Sequence, residues 1–170
     1  MTSETAVAPK IRPFEPGDLS ALLAMNNAAV PAVSEATAEK LLDLINAALV
    51  CLVAEKEGTA VGFLLCLSEG IEYDSPSYHW LSERYSKFAY TDRICVDESA
   101  RGQKIGDAMY GALFNRMAGS GRTFLCEVNE RPPNPGSLRF HNRLGFEEIG
   151  KADNGKVAVI YMQRDPKPTD

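Results

Sequence analysis

Two histidines, a single tryptophan and no CxxC pair of cysteines exclude several common chemistries from this chain of 170 residues. Structural and catalytic zinc sites gather histidine and cysteine at short spacings, so a metal centre is not expected. The four cysteines, Cys51, Cys66, Cys95 and Cys126, each sit in an apolar, strand-like run. That pattern suits reduced core thiols in a cytosolic protein, not a disulfide framework. No apolar run approaches the length of a membrane-spanning helix, and residues 1–10 are polar, without the apolar core of a secretory leader. A cytoplasmic location is therefore expected. The net charge of −5 gives no basic footprint for nucleic acid or an anionic membrane. There is no internal repeat and no low-complexity segment.

What remains is 45% hydrophobic and 24% charged, enough for one globular domain with a sizeable core. We expect residues 1–9 to be loose, 10–164 to form the domain and 165–170 to be a flexible tail. Lys10 to Phe14 reads as a short strand, after which Pro16-Gly17-Asp18 turns into a helix with Asp18 as N-cap and Leu19, Leu22 and Leu23 buried. A second helix begins near Ser34 or Thr37. Two β-rich runs, Val50–Glu55 and Thr59–Leu67, joined by Lys56-Glu57-Gly58, read as a hairpin. Strands near Tyr90–Val96 and Thr123–Asn129, a helix after Asn134, and strands near Phe146–Lys151 and Lys156–Gln163 complete an order βααβββαβαββ. Hairpins mixed with βαβ units predict an α/β protein whose sheet is partly antiparallel and partly parallel, with helices on both faces.

The most informative stretch runs from Ile94 to Gly106. A strand ends in a basic, glycine-bearing turn, and a helix follows whose Ile105, Ala108, Met109, Ala112, Leu113 and Met117 share one face. Such a turn gathers unpaired backbone N–H groups at the positive end of a helix dipole, which suits a phosphate or diphosphate. An ordinary strand-to-helix connection with solvated Arg101 and Lys104 reads equally well from this stretch alone. Downstream, Asn134-Pro135 opens a short helix and Gly145 closes it before Phe146.

Taken together, the Arg101 turn and the run Asn134, Ser137, Phe140, Gly145 and Phe146 resemble the GNAT superfamily of acyl-CoA-dependent N-acyltransferases, which carry Arg-x-x-Gly-x-Gly followed by Asn-x-x-Ala/Ser-x-x-Phe-Tyr-x-x-x-Gly-Phe. The resemblance implies acetyl-CoA or a close acyl-CoA as donor, lying where two central parallel strands splay apart, here those ending near Val96 and Asn129. It places the coenzyme against Ile94, Cys95 and Val96, against Arg101, Gly102, Gln103, Lys104, Ile105 and Gly106, and against Asn134, Ser137 and Phe140. Two positions depart from the pattern: Lys104 replaces the first glycine of Gly-x-Gly, and His141 replaces the tyrosine proposed to protonate the departing thiolate.

Acyl transfer to an amine needs a neutral amine, a held oxyanion and a leaving thiolate. Backbone N–H groups at Cys95 or Val96 are the expected oxyanion donors. His141 is the candidate acid, against a plain surface role; Asp92 and Glu127 are candidate bases, against structural pairing with Arg93 or Arg122. Asn134 and Ser137 would meet the pantetheine or diphosphate or simply cap the helix, and Arg139 and Arg143 read as solvated or as 3′-phosphate contacts.

The segment between Leu67 and Tyr90, with Tyr73, Tyr78, His79, Trp80, Tyr85 and Phe88, reads as a substrate-covering loop with a short helix, or as aromatics packed over the sheet or in a homodimer contact. Glu69, Glu72 and Asp74 would make an acidic mouth for a cationic amine, or merely a solvated surface. The expected function is transfer of an acetyl group from acetyl-CoA to a primary amine of a small molecule, amino acid or peptide. The alternatives are a coenzyme A-binding sensor without turnover and an unrelated nucleotide-binding α/β protein.

Overall fold

The structure is a computed structural model and describes residues 8–166. Residues 1–7 and 167–170, on which most of the expected loose N-terminus and tail fall, lie outside the described residues. Strand β1 (Lys10–Pro13) leads through a 3-10 turn at Pro16–Asp18 into helices α1 (Leu19–Ala28) and α2 (Ala38–Ala47). The hairpin β2 (Val50–Lys56) and β3 (Thr59–Leu67) comes next, then α3 (Pro76–Ser82) and β4 (Phe88–Val96). Helix α4 (Ile105–Arg116), β5 (Thr123–Arg131), α5 (Pro135–Arg143), β6 (Glu147–Asp153) and β7 (Ala158–Arg164) complete the chain. The seven strands form one sheet in the order β1-β2-β3-β4-β5-β7-β6. Every neighbouring pair is antiparallel except β4–β5.

The hairpin turn works because Glu57 and Gly58 both take positive φ, 51° and 80°, the handedness that matches strand twist in two-residue loops. Thr37 caps α2 by accepting the Lys40 amide at 3.2 Å. Asp18 does not act as the expected N-cap. Its carboxylate instead accepts the Glu15 amide and a bidentate pair of bonds from Arg12, all at 2.8 Å, because the chain first makes a 3-10 turn and delays the α-helix to Leu19. Of the three leucines assigned to the buried side of α1, Leu22 is fully buried and Leu19 and Leu23 are half-buried.

Strand alternation divides the interior into two cores. Leu52, Ala54, Leu64, Cys66, Phe124, Cys126 and Val128 pack towards α4, whereas Val53, Phe63, Leu65, Leu67 and Leu125 pack towards α1 and α2. The pattern changes phase inside β4. Tyr90 and Cys95 join the same core although they stand five positions apart, an odd offset. The register explains it: Leu65 opposes Arg93 and Cys66 opposes Thr91, leaving Asp92 as the extra residue of a β-bulge. The bulge puts the Asp92–Arg93 pair on the α1 side of the sheet.

The aromatic segment forms α3 and packs across that side. Trp80 stacks on Tyr161 at 4.1 Å, and Tyr78 donates its hydroxyl to the Ser68 carbonyl at 2.6 Å. Gly150 is required beneath it, since a Cβ there would lie 2.7 Å from the Trp80 ring.

Candidate active site

Strands β4 and β5 pair only over Phe88–Tyr90 and Thr123–Leu125. Beyond these residues they diverge, each still held on its outer side by β3 or β7. The resulting opening is continuous with a cavity of about 1230 Å³, lined by both splayed strands, the turn before α4, the first turns of α4 and α5, and the loop between α1 and α2. All the residues expected to hold the coenzyme line this cavity except Cys95 and Gln103.

At one end lies the turn. Asp97 accepts the Ser99 amide at 3.1 Å and the Arg101 amide reaches Glu98 at 3.3 Å, which closes a 3-10 turn at Glu98–Ala100. Gly102 (φ 78°) and Lys104 (φ 59°) then reverse the chain. Among the described residues, the amides of 102–107 have no protein acceptor. They form an open nest of donors at the head of a twelve-residue helix.

The two glycines of the turn serve different ends. A Cβ at Gly102 would meet nothing within 4 Å, so glycine is needed there for its φ alone. At Gly106 a Cβ would stand 2.8 Å from Phe140 Cζ, so the missing side chain is what lets α5 lean its ring on α4. Lys104 takes the left-handed conformation despite its side chain, which points into solvent. Gln103 is tied back to the protein by Lys56 and by its own bond to the Ser99 carbonyl. The Ile105 side chain belongs to the core, leaving only its amide to the turn.

The ladder decides between Cys95 and Val96 as backbone donors. The Asp97 amide donates to Val61 at 2.7 Å, and antiparallel pairing alternates bonded and non-bonded residues. Cys95 therefore turns its N–H to Phe63 in β3, whereas Ile94 and Val96 turn theirs to the splay. The Cys95 side chain is buried on the α1 side, and burial pushes its thiol up to about 12.

Across the opening, Glu127 sits on β5 with one carboxylate oxygen accepting the Tyr90 hydroxyl at 2.9 Å and the other the Ser77 hydroxyl, which in turn accepts from Tyr161 at 3.2 Å. Among the described residues no cation forms an ion pair with it. Burial raises its pKa above the usual carboxylate range, opposed by the Ser77 and Tyr90 bonds. Asp92 is held differently. Tyr73 donates to one oxygen at 2.8 Å and Arg93 to the other at 2.7 Å, and the pair is 4% and 5% exposed. Arg93 also binds Asn26 at 2.7 Å and the Ser34 hydroxyl at 3.1 Å.

His141 is buried between α4 and α5, not on the surface. Its Nε2 lies 2.8 Å from the Tyr110 hydroxyl and its Nδ1 2.8 Å from the Ser137 carbonyl. Burial holds its pKa below the ordinary value, so the imidazole is neutral at neutral pH. Asn134 Oδ1 caps α5 through the Ser137 amide at 3.3 Å, Arg143 pairs with Asp107 at 3.0 Å, and Arg139 is exposed. Of the three acids assigned to an acidic mouth, only Asp74 lines the cavity; Glu69 binds Arg122 at 2.6 Å and the Phe88 amide at 3.1 Å. Sequence reasoning missed Tyr90, Ser77 and Tyr110. Tyr90 and Ser77 stood beside Asp92 and inside the aromatic segment, and Tyr110 adjoins Met109 on the apolar face of α4.

Comparison with known proteins settles the family. The profile of the acetyltransferase (GNAT) family matches residues 21–146. The chain belongs to the GNAT family. Solved structures with the same fold include Ard1 from Thermoplasma volcanium (TM-score 0.76, 20% identity, covering 94% of this chain and 98% of that one). The ribosomal-protein-S18-alanine N-acetyltransferase from Escherichia coli aligns with TM-score 0.71 and 18% identity over 95% of this chain and 96% of its own. The yncA protein from Salmonella typhimurium, solved with its cofactor acetyl-CoA, aligns with TM-score 0.72 and 17% identity over 96% of this chain and 97% of its own. No curated protein gives a significant match. For this GNAT member the acyl donor is acetyl-CoA, and the open amides of 102–107 fit its diphosphate. Among the described residues, no group of three or more His, Cys, Asp or Glu side chains is placed to hold a metal, and no helix is long and apolar enough to cross a membrane.

Proposed function

We propose that the protein transfers the acetyl group of acetyl-CoA to a primary amine of a small molecule, amino acid or peptide by direct attack of the amine on the thioester. The observation that carries this reading is the Glu127 carboxyl, without an ion-pair partner among the described residues, with a raised pKa, facing the splay opposite the outward amides of β4.

A free amine of pKa about 10 is almost wholly protonated at neutral pH, so a base must take its proton before attack. Glu127 takes it, directly or through one water. Asp92 is ion-paired with Arg93, whereas Glu127 is bonded only to hydroxyls, which suits Asp92 to holding Arg93 and Tyr73 in place. As nitrogen bonds to the acyl carbon, the carbonyl oxygen gains charge and accepts from the Val96 amide. The C–S bond then breaks. A thiol pKa of about 8.5 makes the thiolate a good leaving group without a strong acid. The nitrogen gives up its second proton to solvent and the thiolate takes one up to leave as the thiol; His141, neutral and bonded at both nitrogens, positions Tyr110 and the first turn of α5. The diphosphate rests on the 102–107 amides, with Arg101 and Lys104 beside it.

The test is release of free thiol from acetyl-CoA with a broad panel of amines. Turnover that requires both acetyl-CoA and an amine supports the reading. A flat signal across the panel, with acetyl-CoA still raising the melting temperature, favours a coenzyme A-binding sensor.

A further inference from the structure

We infer that the acceptor is an amine borne on an apolar group, with no carboxylate next to the nitrogen. The inference rests on the acetyl-transfer reading and narrows its substrate.

The first line of argument is the accounting of cations. The cavity is lined by Arg93, Arg101, Lys104 and Arg143. Arg101 and Lys104 stand on the coenzyme turn, and Arg143 is paired with Asp107. Among the described residues Arg93 is the cation that acts on Glu127, and its guanidinium is consumed by Asp92, Asn26 and Ser34. A carboxylate on the acceptor would thus meet Glu127 and the unpaired, exposed Asp74, with no available cation among the described residues. An ammonium group arriving alone meets attraction from both.

The second line is independent of charge. Among the described residues, the exposed large hydrophobic side chains are Val30 (43%) and Val157 (38%), and both line this cavity. One lies between α1 and α2, the other between β6 and β7. Neither loop is loose. Asn129 on β5 donates to the Pro31 carbonyl at 3.0 Å while Arg93 on β4 grips Ser34, so the two splayed strands pin the Val30 loop from opposite sides. Asn154 accepts the Val157 amide at 2.8 Å, and Arg131 binds Asp153 and the Gly155 carbonyl. Braced loops that hold apolar side chains in water at a cavity's mouth fit an apolar substituent on the substrate.

The experiment compares leucinamide, leucine and glycinamide as acceptors at saturating acetyl-CoA. The expected kcat/KM for leucinamide exceeds that for leucine and that for glycinamide by about tenfold or more each. The Val30→Ser/Val157→Ser double variant, whose changes lie on the surface, narrows the leucinamide-to-glycinamide ratio. Preference for free leucine, or equal use of glycinamide, overturns the inference. So does failure to acetylate any of the three; the acetyl-CoA melting shift in the same sample then shows whether the coenzyme site falls with it.

Discussion

Replacing Glu127 by glutamine should make the protein slower and more stable at once. The side chain keeps its length and can still pair with Ser77 and Tyr90, so the packing around it survives. What disappears is the base. At neutral pH an amine of pKa about 10 is neutral in only about one molecule in 10³, so the variant should lose about 10²–10³ in kcat/KM, within the range of general-base catalysis. Its rate should then climb about tenfold per pH unit until the amine itself is deprotonated, whereas the wild-type rate rises at lower pH, where Glu127 titrates. The stability change follows from the direction of the pKa shift. A carboxyl whose pKa is raised in the fold stabilises the protein below the unfolded carboxylate pKa and loses that contribution as pH rises through the folded value. At neutral pH Glu127 is therefore a burden that glutamine removes, and the melting temperature of the variant should equal or exceed that of the wild type, with the advantage vanishing in acid. An unchanged pH–rate profile would remove Glu127 from the chemistry. A large drop in melting temperature at neutral pH would contradict the environment assigned to it.

Three further substitutions probe the scaffold. Gly106→Ala puts a carbon 2.8 Å from Phe140 Cζ, so it should destabilise the fold by about 1–3 kcal/mol in urea titration and weaken acetyl-CoA binding as the ring moves off α4. Arg93→Met leaves Asp92 buried without its partner and should destabilise by about 3–5 kcal/mol, with much of the loss recovered in the Asp92→Asn/Arg93→Met double variant. His141→Gln should flatten the acid limb of stability: burial lowers the wild-type imidazole pKa, so the wild type loses stability as pH falls below the unfolded value of about 6.5, and melting curves between mild acid and neutrality will show whether the variant escapes that loss.

Local features were readable from the sequence where a few neighbouring residues dictate the outcome. Lys56-Glu57-Gly58 marks a hairpin because two positive φ values suit one turn geometry, and Asn134, Pro135 and Gly145 bracket α5 because each fits one helix terminus. The splay between the strands that end near Val96 and Asn129 came from the family resemblance, not from periodicity. What stayed hidden depends on register and distant packing. The bulge at Asp92 exists only in the pairing of β4 with β3, and it alone puts Asp92 and Arg93 on one side of the sheet. The bond from Arg93 to Asn26 spans 67 positions. Gly106 read as a phosphate-turn glycine, yet its space is taken by Phe140. Glu69 looked like part of an acidic mouth until the fold brought Arg122 and the Phe88 amide to it.

A crystal structure with acetyl-CoA bound tests the central claim most directly. The account predicts diphosphate oxygens within hydrogen-bond reach of the 102–107 amides, and the thioester carbonyl pointing at the Val96 N–H with Glu127 across the opening. Coenzyme bound elsewhere, or a diphosphate held by side chains while those amides stay unbonded, would contradict it.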